Sequence, residues 1–273
     1  MLHLVPISTD LIPIDADAVA PDRLASKSFA EIAGMSLWHG NREVRMDEVF
    51  HLTGDAADGC IEIEGDCSRL KGLGRGMAAG HLLVRGDAGL HLGAEMSGGR
   101  IDVFGNAGDW LGAEMRDGQI HVHGNAGNLV GAAYRGGARG MRGGMILIDG
   151  NAGDEVGACM RRGLIAVGGR CGDLAGISMI AGSLFAFGGI GSRPGAGMKR
   201  GSIVVLQGPV EPPPTFRRTA DYVPAFLNLY FKRLLASGFS IPRMKPQRLF
   251  RRYGGDLLTI GKGEILAAIA DPN

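Results

Sequence analysis

The stretch GNAGDWLGAEM, residues 105–115, contains three glycines and two alanines and returns along the chain in nearly the same form. Close copies begin at Gly86, Gly124 and Gly150, and looser copies begin at Gly169 and Gly188. Self-similarity at a fixed spacing is typical of proteins built by stacking one small unit many times. The repeat therefore decides the fold.

The repeat has a constant length. Five units share the same 19-residue length, namely 81–99, 100–118, 145–163, 164–182 and 183–201, whereas unit 60–80 is longer by two and unit 119–144 by seven. The second and fourth positions of each unit are apolar, as in Ile101 and Val103 or Ile120 and Val122. This alternation predicts a half-buried strand at the start of every unit.

Glycines recur at the sixth, ninth, thirteenth and last positions of the unit, and the chain has 47 of them in all. Glycine accepts the positive φ angles of tight corners and lets another backbone approach closely. So small a unit cannot bury its own apolar face, so we expect successive units to stack strand on strand. The prediction is an all-β parallel β-helix of about eight coils, with three short strands per unit.

A column of turn-forming side chains accompanies the sixth-position glycine. It consists of Asp87, Asn106, Asn125 and Asn151. We expect these residues to form a structural ladder rather than a binding site, because Asn and Asp side chains readily hydrogen-bond nearby backbone.

Three regions follow from the repeat. Residues 1–59 are expected to cap the first unit, residues 60–208 to form the repeat domain, and residues 209–273 to form a C-terminal extension with an amphipathic helix over 220–235. The outward positions of the last strands should form an apolar patch, Phe185, Phe187, Val204 and Leu206, covered either by this helix or by a partner. Residues 248–273 carry a basic cluster and one more strand-like run, and they are interpreted as a solvated surface or docking tail.

Composition narrows the class of protein. The formal net charge is +1 over 273 residues, and the 29 Lys and Arg residues are scattered, which argues against nucleic acid as a partner. Four cysteines lack CxxC spacing, and the chain has neither a signal peptide nor a long apolar run. We expect a reduced, cytoplasmic protein without a membrane partner.

A search for chemistry yields little. No G-x-S-x-G motif and no Walker loop is present. His121 and His123 should point outward beside Asp102 and Asp149. They could form a metal or acid–base pair, but we favour surface or interface histidines beside carboxylates, with no third ligand. Cys67 and Cys171 take the place of alanine in the repeat and should be small core residues. We expect no catalytic residue and no metal ligand in this chain.

The seven extra residues of unit 119–144 give the stretch AAYRGGARGMRGG, residues 132–144. It gathers Tyr134, Arg135, Arg139 and Arg142. Arginines can bind carboxylates or phosphates in a bidentate manner, and loops inserted in repeat proteins often carry function. The loop is therefore a candidate site for binding a cofactor or for docking a partner, although a solvated loop has the same composition.

The 19-residue units, the GAAYRGGARGMRGG insertion and the RPGAGMKRGSIVVLQG stretch resemble the C subunit of formylmethanofuran dehydrogenase over about residues 50–235. The nearest form is the C subunit of the bacterial formyltransferase/hydrolase complex. The insertion motif falls on Tyr134, Arg135, Gly136, Arg139, Gly140, Met141 and Arg142.

The resemblance implies a right-handed parallel β-helix that is a non-catalytic scaffold within a hetero-oligomeric complex. Companion subunits would resemble a zinc amidohydrolase and a formyltransferase. Formyl groups would pass from a tetrahydromethanopterin-type carrier to a methanofuran-type cofactor and leave as formate. The insertion would then contact a partner or the carboxylate-rich tail of that cofactor, and no other cofactor is expected on this chain.

Three alternatives stay open at this point. The glycine repeat also resembles the β-helix spacer domain of glutamate synthase, but the segment 1–59 is too short to hold the synthase domains. The C subunit of an archaeal formylmethanofuran dehydrogenase would share the repeat. A left-handed β-helix acyltransferase would use 18-residue coils instead of the longer unit seen here.

Overall fold

The computed structural model describes residues 1–7, 12–241 and 248–269. Strands dominate it, and they form one 13-stranded sheet and one four-stranded sheet. The strands of the large sheet are β1 (Leu2–Pro6), β5 (Phe50–Gly54), β6 (Cys60–Glu64), β8 (His81–Arg85), β9 (Ser97–Val103), β10 (Asp117–Val122), β11 (Met145–Ile148), β12 (Leu164–Val167), β13 (Ser183–Ala186), β14 (Arg200–Val205), β15 (Arg217–Tyr222), β16 (Phe250–Gly255) and β17 (Lys262–Ala268). The smaller sheet contains β2 (Ile14–Asp15), β3 (Ser36–His39), β4 (Arg42–Arg45) and β7 (Leu70–Lys71).

Four helices accompany the sheets in the described part of the chain. They are α1 (Pro21–Leu24), α2 (Phe29–Ala33), α3 (Met46–Val49) and α4 (Leu227–Ala236). Helix α2 begins at a capping box, in which Ser28 and Glu31 satisfy backbone donors of its first turn. Among the described residues, no helix is long and apolar enough to cross a membrane.

The strands that begin the repeat units lie side by side in the large sheet and run parallel. From β6 through β8 to β14, each strand pairs with the strand of the next unit in one register. Ile101 thus lies beside Ile120, and Ile120 beside Ile146. These side chains are fully buried, so the sequence alternation marks the core-facing positions, as predicted.

Two further columns of contacts link each unit to the next. The eighth positions form isolated parallel bridges: Cys67–Ala88, Ala88–Ala107, Ala107–Ala126, Ala126–Ala152, Ala152–Cys171 and Cys171–Ile190. At the thirteenth position, the N–H of Gly112 donates to Leu92 O at 2.8 Å, and Gly131 donates to Leu111 O at 2.8 Å. The prediction of three strands per unit is wrong in detail, because only the first segment forms an extended ladder.

Side chains of Asn and Asp add a ladder of their own at the corner. Asp87 Oδ1 accepts from the N–H of Asn106 at 2.6 Å, and Asn106 Oδ1 accepts from the N–H of Asn125 at 2.9 Å. In the same way, Asn125 Oδ1 accepts from the N–H of Asn151 at 2.8 Å. Each side chain satisfies a backbone donor of the next unit, so the predicted structural role of this column is confirmed.

A second ladder three residues further along was not predicted. Asp109 accepts from the N–H of Asn128 at 2.7 Å, and Asn128 accepts from Asp154 at 2.8 Å. Asp154 and Asp173 continue the column to Ser192, with 2.7 Å at each step.

The N-terminal segment extends the large sheet beyond the first unit. Strand β1 pairs parallel with β6 and antiparallel with β5, which is an edge strand. Strand β2 pairs with both β7 and β3, which ties the smaller sheet to the first unit.

The C-terminal segment extends the sheet at the other end. Strand β17 pairs parallel with β14, and β16 and β15 follow in antiparallel order. Residues 250–255 and 262–268 are therefore part of the sheet and not a tail, and β17 is the strand-like run that the sequence indicated. The short glycine-bearing run GKGEILAA carries the same alternation as the repeat strands, and that pattern explains its place in the sheet.

The predicted helix is shorter than expected. It spans α4 alone, because residues 217–222 form β15. Pro224 lacks a backbone donor and disfavours the helical conformation of Val223, which separates the two elements.

Helix α4 and the loop after it cover the apolar patch of the last strands. Phe185 packs against Tyr230 with ring centroids 5.2 Å apart, and Phe187 packs against Phe239 at 5.4 Å. All four patch residues are at most 2% exposed. The predicted packing of this helix on the patch is confirmed.

Candidate functional site

The insertion of unit 119–144 is anchored at several points. Met141 is fully buried in the main core. The N–H of Gly140 donates to Cys159 O at 2.9 Å, and the N–H of Tyr134 donates to Glu114 Oε1 at 3.2 Å. The insertion is thus held against both neighbouring units.

The three arginines of the insertion have different environments. Arg142 Nη2 lies 3.6 Å from Glu114 Oε2, and its Nε is buried without a hydrogen-bond partner in the described chain. Arg135 and Arg139 are exposed and make no ion pair with any described residue. Two of the three guanidinium groups can therefore receive an anion from outside.

Tyr134 belongs to an aromatic cluster. Its ring stacks on Trp110 with centroids 5.1 Å apart, and its hydroxyl lies 3.1 Å from His91 Nδ1. His91 and Trp110 occupy the same position of successive 19-residue units. That register could have revealed their contact from the sequence, whereas the contribution of Tyr134 depends on the path of the insertion.

Next to this cluster lies a cleft of about 580 Å³ between the repeat units and the N-terminal segment. Trp38 lines it together with His91 and Tyr134, and 51% of the Trp38 surface is exposed. Two ion pairs complete the wall: Lys71 to Asp15 at 2.8 Å and Arg75 to Asp17 at 3.1 Å. The sequence offers no signal that brings Trp38 here.

Burial is the main cause of the pKa shifts of His91 and Tyr134 in the cleft. It lowers the pKa of His91, with smaller contributions from the positive charges of Arg75 and Lys71, and it raises the pKa of Tyr134. Both groups are therefore held in their neutral forms near pH 7.

A second cluster lies on strands β8 to β10. Asp102 Oδ2 is 2.6 Å from His81 Nε2, and Arg100 donates to both oxygens of Asp102 at 2.6 and 2.8 Å. Burial alone would raise the pKa of Asp102, but the hydrogen bonds from Arg100 and His81 hold it below its ordinary value. Asp102 is therefore ionised at neutral pH.

The histidine prediction needs two corrections. His121 is only 2% exposed, because Phe239 packs near it with ring centroids 6.5 Å apart, so it is not a surface histidine. Asp149 bridges both histidines, at 2.9 Å from His121 Nε2 and 2.9 Å from His123 Nδ1. The sequence register paired each histidine with one carboxylate, and it missed that side chains also reach diagonally across strands.

Asp102, which the register placed beside His121, also lies near His123, so the expectation that the histidines have no third potential ligand is wrong. One ligand atom from each of Asp102, His121 and His123 lies within 4.8 Å of the other two. The three side chains differ in exposure: Asp102 and His121 are buried, whereas His123 is open to solvent.

The cysteines behave as predicted. Cys67 and Cys171 are fully buried, and burial raises the pKa of each thiol to about 12. All four cysteines are free thiols. Such protonated, enclosed thiols are poor nucleophiles.

Comparison with known proteins agrees with the family resemblance that the sequence indicates. No family model matches the chain. The C subunit of molybdenum-containing formylmethanofuran dehydrogenase 1 from Methanosarcina barkeri is 40% identical over 93 residues, which are 33% of this chain and 31% of that protein. The C subunit of tungsten-containing formylmethanofuran dehydrogenase 2 from Methanothermobacter thermautotrophicus is 35% identical over 95 residues, 33% of this chain and 35% of that protein. The matches thus span about a third of these relatives.

A solved structure matches over nearly the whole chain. It is a chain of the formyltransferase/hydrolase complex of Methylorubrum extorquens, crystallised with methylofuran. The two chains are 31% identical with a TM-score of 0.90, over 98% of this chain and 100% of that one. Together with the two partial matches, this full-length similarity shows that the chain belongs to the family of formylmethanofuran dehydrogenase C subunits.

Proposed function

We propose that this chain is a non-catalytic scaffold subunit of a cytoplasmic formyltransferase/hydrolase complex. The observation that carries the proposal is the TM-score of 0.90 over the full length of a chain from such a complex. The insertion adds support for a role in assembly, because it displays two exposed arginines, Arg135 and Arg139, at the surface of the described chain.

The same proposal includes the architecture. The three columns of contacts between successive units support a parallel β-helix over residues 60–208, with residues 1–59 as its N-terminal cap and 209–273 as its C-terminal extension. Its right-handed sense rests on the resemblance to the family. Such a stack is rigid along its length, because every unit is hydrogen-bonded to both neighbours. Rigidity is what a subunit that fixes the spacing of others requires.

The partners would be a zinc amidohydrolase-like subunit and a formyltransferase-like subunit. In this scheme formyl groups move from a tetrahydromethanopterin-type carrier to a methanofuran-type cofactor and are released as formate. The chemistry belongs to the companion subunits, and this chain holds them in place.

The insertion is the part of this chain best suited to contact them. Tyr134 and Met141 fix it to the repeat domain, and Arg135 and Arg139 extend into solvent without carboxylate partners in the described chain. An exposed arginine that lacks an internal partner can bind a carboxylate of another molecule in a bidentate manner. We assign these two residues to docking of a partner subunit or of the carboxylate-bearing tail of the cofactor.

The test is affinity purification of the tagged chain from its native host, with mass spectrometry of the proteins that co-elute. We expect the two companion subunits in stoichiometric amounts and formyltransferase/hydrolase activity in the eluate. If the chain elutes alone or with unrelated proteins, the scaffold proposal is wrong.

A double variant tests the insertion separately. Arg135→Ala with Arg139→Ala should reduce companion recovery or cofactor retention while the thermal unfolding of the chain stays unchanged. Arg200→Ala with Arg217→Ala, which removes two exposed arginines elsewhere, is the matched control and should assemble normally. If both double variants assemble and retain cofactor like the wild type, the insertion has no docking role.

A further inference from the structure

The cluster formed by Asp102, His121 and His123 has the composition of a metal site. Their ligand atoms lie within 4.8 Å of one another, and two of the three side chains are almost completely enclosed. We propose that these three residues bind one divalent transition-metal ion of the zinc type. The site is independent of the proposed scaffold role, and none of its three residues belongs to the arginine insertion.

The repeat register builds this site. His121 lies directly beside Asp102 in the parallel pairing of β10 with β9. His123 is two residues further along the chain, so it leaves the backbone on the same side as His121. The two imidazole centroids are 4.2 Å apart. Backbone hydrogen bonds thus fix all three ligand positions before any ion binds.

Asp149 supplies the outer support that metal-bound histidines commonly have. It accepts from one nitrogen of each ring, at 2.9 Å in both cases. Because each imidazole has two ring nitrogens, a ring can give one to a metal and keep the other on Asp149. This arrangement orients both rings and increases their basicity as ligands.

The carboxylate ligand is also positioned in advance. Arg100 and His81 together make three hydrogen bonds to Asp102, one to Oδ1 and two to Oδ2. An ionised carboxylate has about four acceptor sites, so Oδ1 keeps one for a metal. The positive charge of Arg100 opposes a cation, whereas the carboxylate of Asp149 beside the histidines offsets that charge.

The donor set selects the kind of ion. Two imidazoles with one carboxylate suit zinc, cobalt and iron(II), whereas calcium and magnesium prefer all-oxygen sites. Three protein ligands leave an open position for water, and the partly exposed side chain of His123 lies on the solvent side.

The experiment uses the full-length chain in whatever assembly it forms, stripped with a chelator and then titrated with zinc. His121→Gln with His123→Gln should contain about one zinc less per chain than the wild type, as measured by elemental analysis. His3→Gln is the matched control, since His3 also lies on the large sheet beside a carboxylate, Glu62, at 3.1 Å. The wild type, the double variant and the control hold the same amount of zinc in any companion subunits, so the difference in zinc content between samples reports on this chain alone.

Asp149→Asn tests the outer support without removing a ligand, and it should weaken zinc affinity about 10–100-fold. Cobalt titration of the wild type should produce visible d–d bands of nitrogen-ligated cobalt that zinc displaces and that the variant with His121→Gln and His123→Gln lacks. The proposal is overturned if the wild type binds no more zinc than the double variant, or if cobalt produces no bands that depend on His121 and His123.

Discussion

At the scale of single residues, glycine has two distinct uses in this chain. At Gly112 the backbone has a φ of +59°, and an added Cβ would lie 2.5 Å from Cδ1 of Ile146, which belongs to the second unit further along the chain. At Gly136, in the insertion, φ is +84°, but nothing lies within 4 Å of an added Cβ. The first glycine is needed for both its conformation and its lack of a side chain, and the second is needed only for its conformation.

This difference predicts unequal effects of the same substitution. Gly136→Ala should lower the free energy of unfolding by about 1–2 kcal/mol through left-handed backbone strain alone. Gly112→Ala should carry that strain plus about 1–3 kcal/mol of overpacking against Ile146. Urea denaturation of both variants measures the difference between their free energies of unfolding. Equal destabilisation would show that the core accommodates the methyl group.

The buried thiols predict how stability depends on pH. The folded-state pKa of Cys67 and Cys171 is about 12, above the ordinary value of 9.0. The unfolded chain therefore ionises first, and the stability that the neutral thiols provide is complete below pH 9 and is lost as the pH rises towards 12. Alanine occupies the equivalent position in four other units, so it should fit at both sites.

Cys67→Ala with Cys171→Ala should consequently lose less stability than the wild type between pH 9 and pH 11 in chemical denaturation. Cys60→Ala, at a half-buried cysteine, serves as the control and should follow the wild type more closely. Parallel pH profiles for the wild type and the double variant would contradict the assigned burial of the thiols.

At the scale of elements, α4 closes a surface that the repeat strands leave apolar. Leu234 of this helix is fully buried against the patch, whereas Leu229 on the same helix is 71% exposed. Phe185 and Phe187 receive aromatic partners from α4 and from Phe239 beyond it. The helix is held by tertiary packing, since ten residues are too few to be stable in isolation.

The same Leu→Ala substitution at a buried and at an exposed position of α4 tests whether packing on the strands holds the helix. Leu234→Ala should lower the free energy of unfolding by about 2–5 kcal/mol, because it leaves a cavity in a closed core. Leu229→Ala changes the helix propensity by the same amount, but its free energy of unfolding should stay within about 0.5 kcal/mol of the wild-type value. Hydrogen exchange of α4 amides measures both. Similar exchange in the two variants would mean that α4 is not docked on the strands in solution.

The elements also show where sequence patterns stop being informative. Alternation identified every repeat strand and the core positions of Ile101 and Ile120, because the pattern reflects which face is buried. It did not reveal β15, whose residues 217–221 are exposed, are polar apart from Ala220 and carry no alternation. The cleft at Trp38 was also missed, since it depends on how the N-terminal segment folds back on the repeats, which no local pattern encodes.

At the scale of the whole molecule, the repeat makes the structure modular. Because His81 and Gln119 each pair with Arg100 in the same register, removal of residues 100–118 would place strand β10 directly beside β8. The proposed β-helix would then be one unit shorter and otherwise intact.

Deletion of residues 100–118 should accordingly yield a folded, cooperatively melting protein with a lower melting temperature. Deletion of residues 109–118 removes about half a unit and should give an aggregated or unfolded chain, because strand and corner positions no longer coincide. Circular dichroism and size-exclusion chromatography distinguish the two. If the two deletions behave alike, the 19-residue unit is not the folding module.

The order of strands in the large sheet has a consequence for biosynthesis. Strand β14 is covered on one side by β13, which precedes it, but its other neighbour, β17, leaves the ribosome only after the roughly 60 residues that follow Val205. At typical translation rates of about 5–20 residues per second, these take about 3–12 s. During that interval the nascent chain presents an open backbone edge to any other strand nearby, so chaperone demand should be greatest just before translation of this chain is complete.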